Sequence, residues 1–277
     1  MKTAKWILAG MAALVAAVSC GPRKEAPKVL VLYYSQTSNT KAVAEEIATK
    51  LGADIEEIVA VTPYDGDFQA TIARSMQERQ EGILPEIQPI QADIAAYETI
   101  FLGFPVWFGT YAPPVAALLE QVDFAGKKVV PFCTFGSGGL DSSTRDLQAK
   151  LPDAEILPGY GVRAARMAAV PKEVDQFLKA NGFLEGEFVK LDEFPEQQPV
   201  TEEEAAIFQA AVSDYPMMAG ASATTVASRA LPNGVEYLFT AAEKPRENAP
   251  DMPPAGGMKV YVTVEEGEAP VFTQVVR

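Results

Sequence analysis

Two rhythms of apolar residues alternate along positions 28 to 182. Val29 to Tyr34 is an unbroken apolar run with β-branched and aromatic members, the pattern of a parallel strand covered on both faces. Val43, Ile47 and Leu51 then recur at helical spacing as far as Gly52, a residue suited to ending a helix. Ile55 to Val61 reads as a second strand, Asp67 to Glu81 as a polar helix and Thr99 to Phe104 as a third strand. Behind Pro113-Pro114, a good helix start, Val115, Leu118, Leu119 and Val122 make one helical face. Lys128 to Thr134 reads as the fourth strand, in which Pro131 deletes a ladder bond. Ser142 to Leu151 and Lys172 to Asn181 read as helices around a short fifth strand, Glu155 to Val162. Five strands alternating with helices predict a doubly wound parallel α/β sheet.

Beyond residue 182 the rhythm changes. Residues 183 to 200 read as a linker, acid-rich and proline-rich from Gly186 to Pro199. Thr201-Glu202-Glu203-Glu204 is a capping-box pattern that opens a helix with Phe208, Val212 and Tyr215 on one face. Thr224 to Leu231 and Val235 to Ala241 are strand-like around the turn Pro232-Asn233-Gly234. Met258, Val260, Val262 and Val264 alternate strictly with polar or amphipathic residues, which predicts a sheet with one wet face. Residues 201 to 277 are therefore expected to form a small α+β unit of one helix and about four antiparallel strands.

The start of the chain reads as an address. Lys2 and Lys5 flank an apolar run from Trp6 to Val18, followed by Ala17-Val18-Ser19-Cys20. Thirteen residues at ~1.5 Å each are too short for a ~30 Å hydrocarbon layer. The small residues before Cys20 resemble a bacterial lipobox, which implies that the signal segment, residues 1 to 20, ends at a Cys20 that is lipidated and becomes the new N-terminus, with 21 to 27 as a tether. An ordinary secretory signal peptide also fits, and both readings export the chain. The expected location is a bacterial cell envelope, with the protein facing the periplasm.

Composition narrows the chemistry. The 277 residues contain no histidine, which removes imidazole catalysis, Ser-His-Asp and Cys-His nucleophiles and most zinc or copper sites; no metal site is expected. A net charge of −14 with no basic stripe argues against nucleic acid as a partner. Once Cys20 is lipidated, Cys133 has no partner for an internal disulfide.

Three loops at the carboxyl ends of the predicted strands carry candidate chemistry, because ligands of such sheets bind there. Ser35-Gln36-Thr37-Ser38-Asn39-Thr40 leads straight into a helix N-terminus, where hydroxyls, free N–H groups and the helix dipole suit a single anion. Both the Walker lysine and G-x-G-x-x-G are missing, so a monophosphate fits better than a nucleotide triphosphate or dinucleotide. The same residues also serve as ordinary helix caps. After the third strand, Gly103 to Tyr111 places Trp107, Phe108 and Tyr111 where a flat ring can stack, or where they pack on their own loop. After the fourth strand, Thr134-Phe135-Gly136-Ser137-Gly138-Gly139 either lets backbone approach a ligand or simply turns.

In their order and placement these loops resemble those of short-chain flavodoxins over residues 28 to 182. The resemblance implies strand order 2-1-3-4-5 and flavin mononucleotide (FMN) as cofactor. Ser35, Gln36, Thr37, Ser38, Asn39 and Thr40 would hold the phosphate; Pro105, Val106, Trp107, Phe108 and Gly109 would flank the ring, with Trp107 stacked on it. Backbone of Phe135 to Gly139, next to Thr134, would meet the pyrimidine edge. Residues 135 to 143 contain no tyrosine, so Phe135 or Tyr111 is left for the second face. The C-terminal unit resembles a cystatin-like domain without the inhibitory Gln-x-Val-x-Gly loop. Two functions follow as expectations. One is an exported, lipid-anchored electron carrier, or reductase of a small quinone-type acceptor, fed by a partner protein. The other is a redox-silent interaction or protease-inhibiting lipoprotein that keeps the fold as scaffold.

Overall fold

The computed structural model describes residues 28–64, 67–242 and 257–276; the expected leader, Cys20 and the tether lie outside them. Strands β1 (Val29–Tyr33), β2 (Asp54–Glu57), β3 (Thr99–Trp107) and β5 (Lys128–Phe135) form a parallel sheet in the order β2-β1-β3-β5, extended by β6 (Glu155–Ile156) and β7 (Tyr160–Arg163) beside β5. This is the expected 2-1-3-4-5 order with its last strand in two pieces.

The apolar runs are continuous because both faces are covered, and the period of two divides them. Leu30 and Leu32 point into the core packed by α3 (Pro113–Gln121) and α4 (Leu140–Lys150), together with Ile100, Leu102, Phe104 and Cys133. Val31 and Tyr33 point the other way, onto α1 (Asn39–Leu51) and α5 (Val170–Ala180), where Val43, Ile47, Val174 and Leu178 are buried. Each such aliphatic side chain stabilises the fold by ~1.5–3 kcal/mol of transfer energy. Helix α2 (Phe68–Glu81) buries only Thr71 and Ser75 within its span, which matches its polar pattern.

Three predicted boundaries shift for physical reasons. The second strand stops at Glu57 instead of Val61, because β1, its only neighbour among the described residues, ends at Tyr33; Val59 and Val61 are exposed and Ala60 makes one isolated bridge to Ile87. The third strand runs on to Trp107 because it folds back as a hairpin onto β4 (Thr110–Tyr111). The fifth strand breaks between Ile156 and Tyr160 where it passes Pro131, which has no N–H to donate. A Cβ on Gly159 would lie 2.5 Å from the Pro131 carbonyl oxygen, so only glycine passes there.

The C-terminal region is a separate antiparallel sheet, order β12-β11-β10-β9-β8, built from β8 (Gln198–Pro199), β9 (Ser222–Leu231), β10 (Gly234–Ala242), β11 (Met258–Glu265) and β12 (Val271–Val276). Helix α6 (Glu202–Val212) starts with the predicted capping box at Thr201 and Glu204 and buries Phe208 and Val212 against Phe239, Val260 and Phe272. Five strands are present among the described residues, where about four were expected. The additional β8 comes from within the segment expected as linker.

Candidate functional site

β1, β3 and β5 are neighbours, so their carboxyl-end loops meet. The Tyr34 N–H donates to the Gly103 carbonyl at 3.0 Å, and the buried hydroxyls of Thr40 and Thr134 lie 2.8 Å apart. These two links tie the two ends of the hydroxyl loop to β3 and to the end of β5.

Within the hydroxyl loop the side chains divide into two groups. Gln36 is structural: its amide donates to the Tyr64 carbonyl and to Thr71 Oγ1, both at 2.8 Å, fastening the loop to α2. Thr40 Oγ1 shares a hydrogen bond with Thr134 Oγ1, in which either hydroxyl can be the donor. Ser38, at the N-cap of α1, has φ 64° and makes no side-chain capping bond, so ordinary capping does not account for it. Thr37 and Ser38 are exposed, and the Asn39 amide only grazes Thr37 Oγ1 at 3.5 Å. Ser35 Oγ is shielded from solvent and has no hydrogen-bond partner among the described residues.

The aromatic loop is a two-residue hairpin. Trp107 pairs with Thr110, and Phe108 and Gly109 between them both take positive φ, 53° and 83°. Alternation along the strand sends the two aromatics different ways. Trp107 packs edge-on against Tyr34 and Tyr64, with ring centroids 6.0 and 5.1 Å away, and Arg74 covers the Tyr64 ring at 3.8 Å. Phe108 stands 48 % exposed at the tip, in a left-handed conformation strained for a bulky residue. Trp107, the expected stacking residue, thus has edge contacts to Tyr34 and Tyr64, while Phe108 is the more exposed ring of the hairpin.

Phe108 and Gly109 with Val106 form one wall of a cavity of about 370 Å³, within the range of small-molecule sites. Phe135 to Gly139 form the wall opposite, and Leu140, Asp141, Ser142 and Arg145 continue it. Ser142 Oγ donates to the Gly109 carbonyl and holds the two walls together. Phe135, a candidate for the second face, is 5 % exposed and packs in the core at the edge of this cavity. Tyr111 is half-buried, edge-on to Phe104 at 6.0 Å, and its hydroxyl pKa is raised by burial and then by Asp146 and Glu120. Pro105 lies half-buried in β3 beside Thr134. Burial also pushes Tyr34 up to about 12, so the aromatic cluster beside the hydroxyl loop stays neutral. Sequence reasoning missed Gln274, Val275 and Val276 of β12, which line the same cavity from the other sheet.

A family model described as Flavodoxin matches residues 28–176, more than half of the chain. The chain belongs to the flavodoxin family. Among solved structures, the flavodoxin unit is similar to a protein of Bacteroides eggerthii DSM 20697, provisionally described as a flavoprotein. That match has 26% identity and a TM-score of 0.50, and covers 56% of this chain and 98% of the other. It is also similar to a flavoprotein of Lactobacillus acidophilus NCFM solved in complex with FMN, at 26% identity and a TM-score of 0.46, covering 53% of this chain and 98% of that one. A curated relative, an NAD(P)H dehydrogenase (quinone) of Gluconacetobacter diazotrophicus, is 32% identical over 99 residues, 34% of this chain. The match spans 46% of that relative, under half its length.

Proposed function

We propose that the flavodoxin unit binds FMN and passes electrons, as a carrier or as a reductase of a small quinone-type acceptor. The observation that carries this reading is the Ser35 hydroxyl, buried without a partner among the described residues, just before the N-terminus of α1, where Ser38 makes no side-chain capping bond. A hydroxyl and helix N–H groups left unpaired at one spot are the donors a phosphate needs. Ser35, Thr37, Ser38 and Asn39 would hold the phosphate, while Gln36, Thr40 and Thr134 keep the loop in shape. The cavity between Phe108 and Gly136–Gly139 suits a flat ring: an aromatic face on one side, and on the other a loop whose only side chain is that of Ser137. When bound, FMN supplies the redox chemistry. The chain's own residues bind and orient it, and the acidic protein disfavours added negative charge in the site. The quinone dehydrogenase relative supports an acceptor of that class; the electron donor in this reading is a partner protein.

Purified full chain in detergent is expected to bind FMN far more tightly than riboflavin in a fluorescence-quenching titration and to take on a bound-flavin visible spectrum. Equal affinity for the two refutes the phosphate assignment. We further propose that Cys20 is lipidated and holds the protein at the periplasmic side of the cell envelope, a reading supported by the basic start, the short apolar run and Ala17-Val18-Ser19-Cys20. A clickable fatty-acid probe should label the protein and fail to label Cys20→Ala; an unlabelled natural chain removes the anchor.

A further inference from the structure

The C-terminal sheet touches the flavodoxin unit at the glycine loop. β12 is an edge strand, and at Val275 its outward polar groups face Ser137 and Gly138 in place of water. The Val275 N–H donates to the Ser137 carbonyl at 2.7 Å. Its carbonyl oxygen lies so near Gly138 that a Cβ there would sit 2.1 Å away. Arg163, at the end of β7, completes the contact: Nε donates to the Gly136 carbonyl and a terminal guanidinium nitrogen to the Phe272 carbonyl, each at 2.8 Å. The guanidinium carbon lies 4.1 Å from the centroid of the Phe272 ring, which is itself buried, so the arginine is gripped from the C-terminal side as well.

This contact has a geometric consequence for the loop. A trans peptide holds its C=O and N–H on opposite sides. With the Gly136 and Ser137 carbonyls drawn to Arg163 and β12, the N–H groups of Ser137 and Gly138 face away from the contact. Neither donates to another protein acceptor among the described residues. Gln274, Val275 and Val276 meanwhile close one side of the cavity.

We propose that the C-terminal unit is a working part of the flavin site: Arg163 and β12 position the Ser137 and Gly138 N–H groups as donors to the carbonyl edge of the ring, so that flavin binding and the seating of β12 are one coupled equilibrium. The proposal rests on the FMN reading above. Arg163 is a positioning residue, acting through the loop and touching the ring nowhere. Coupling of this kind is reciprocal: if β12 strengthens flavin binding, flavin must hold β12 down by the same factor.

The test uses the full chain in detergent. Hydrogen exchange of peptides covering residues 271–276 is measured with and without saturating FMN, and flavin affinities are measured for Arg163→Met and Arg163→Lys. FMN should slow exchange across β12 by about fivefold or more. Arg163→Met should weaken FMN and riboflavin by the same factor, about tenfold, because the lost bonds act on the ring edge and not the phosphate. Arg163→Lys should recover part of that loss, and the bound-flavin spectrum should shift in Arg163→Met. Unchanged β12 exchange on FMN binding overturns the coupling even if Arg163→Met fails to fold. Wild-type affinity in a folded Arg163→Met does the same. Failure of the unmodified chain to bind FMN at all refutes the FMN reading itself, an outcome separate from either of these.

Discussion

Replacing Ser35 by alanine separates a ligand-binding hydroxyl from a structural one by the sign of its effect. Ser35 Oγ is shielded from solvent and unpaired among the described residues. Desolvating a hydroxyl with no compensating bond costs ~1–3 kcal/mol, and alanine removes that penalty along with the group. The ligand-free Ser35→Ala protein should therefore be more stable than the parent by ~0.5–1.5 kcal/mol in urea unfolding. A genuine capping hydroxyl behaves oppositely, its loss costing ~1 kcal/mol. Binding should move the other way. A hydroxyl donating to a phosphate dianion forms a charge-assisted bond, so its loss should weaken FMN by roughly 10- to 100-fold. Riboflavin, lacking the phosphate, should bind within about twofold of the parent, since no bond to Ser35 is lost. Thr40→Val is the contrast, since its hydroxyl is already paired at 2.8 Å with buried Thr134; removing it orphans the partner and destabilises the ligand-free protein. The assays are urea unfolding without flavin and fluorescence quenching at fixed ionic strength. A Ser35→Ala protein that is less stable, and equally impaired for both flavins, refutes the anion-site argument.

The remaining predictions concern the hairpin tip and the buried thiol. Phe108→Gly should relieve left-handed strain and stabilise the ligand-free protein by ~1 kcal/mol, while weakening both flavins by ~1–3 kcal/mol; Trp107→Ala should instead destabilise the fold by ~2–4 kcal/mol through loss of the Tyr34 and Tyr64 contacts. Urea unfolding and flavin titration of both variants check this, and the reverse pattern returns the stacking role to Trp107. Cys133 is fully buried and its thiol is held well above the usual range, by desolvation first and by Asp141 second. It should resist thiol reagents at pH 8 in the native state and react on unfolding; fast native labelling contradicts the burial. Because the folded pKa is the raised one, the stabilisation from this thiol is whole below the unfolded value of ~8.5 and declines as pH rises above it.

The sheet was legible because its signals are local and redundant. Leu30 and Leu32 face one core and Val31 and Tyr33 the other, so the run had to be apolar throughout and no alternative register would hide it better. The three loops followed from the strands that precede them. What escaped the sequence was decided by single residues or distant partners. Whether Trp107 or Phe108 faces the cavity is a question of parity in a hairpin whose two-residue turn cannot be deduced from Trp-Phe-Gly-Thr alone. β8 is two residues long and has no pattern to read.

The glycine loop shows the limit most clearly, since identical residues there answer to different causes. A Cβ on Gly136 would meet nothing within 4 Å, which leaves its face open to a ligand. Gly138 is held to glycine by the Val275 carbonyl, 137 positions downstream. Read locally, both are turn residues with no side chain in the way. Only the fold shows that one glycine leaves room for a small molecule and the other for the second sheet. Arg163 reads in sequence as a charge at the end of a strand, yet it bridges the loop to Phe272 across 109 positions. Its burial is consistent with that role: desolvation pulls its pKa down, so the two carbonyl bonds and the aromatic faces must replace the water it has lost. A cation held at that expense in an edge contact between two sheets is hard to explain as surface decoration, whereas a loop that must hold its N–H groups in one direction gives it a task.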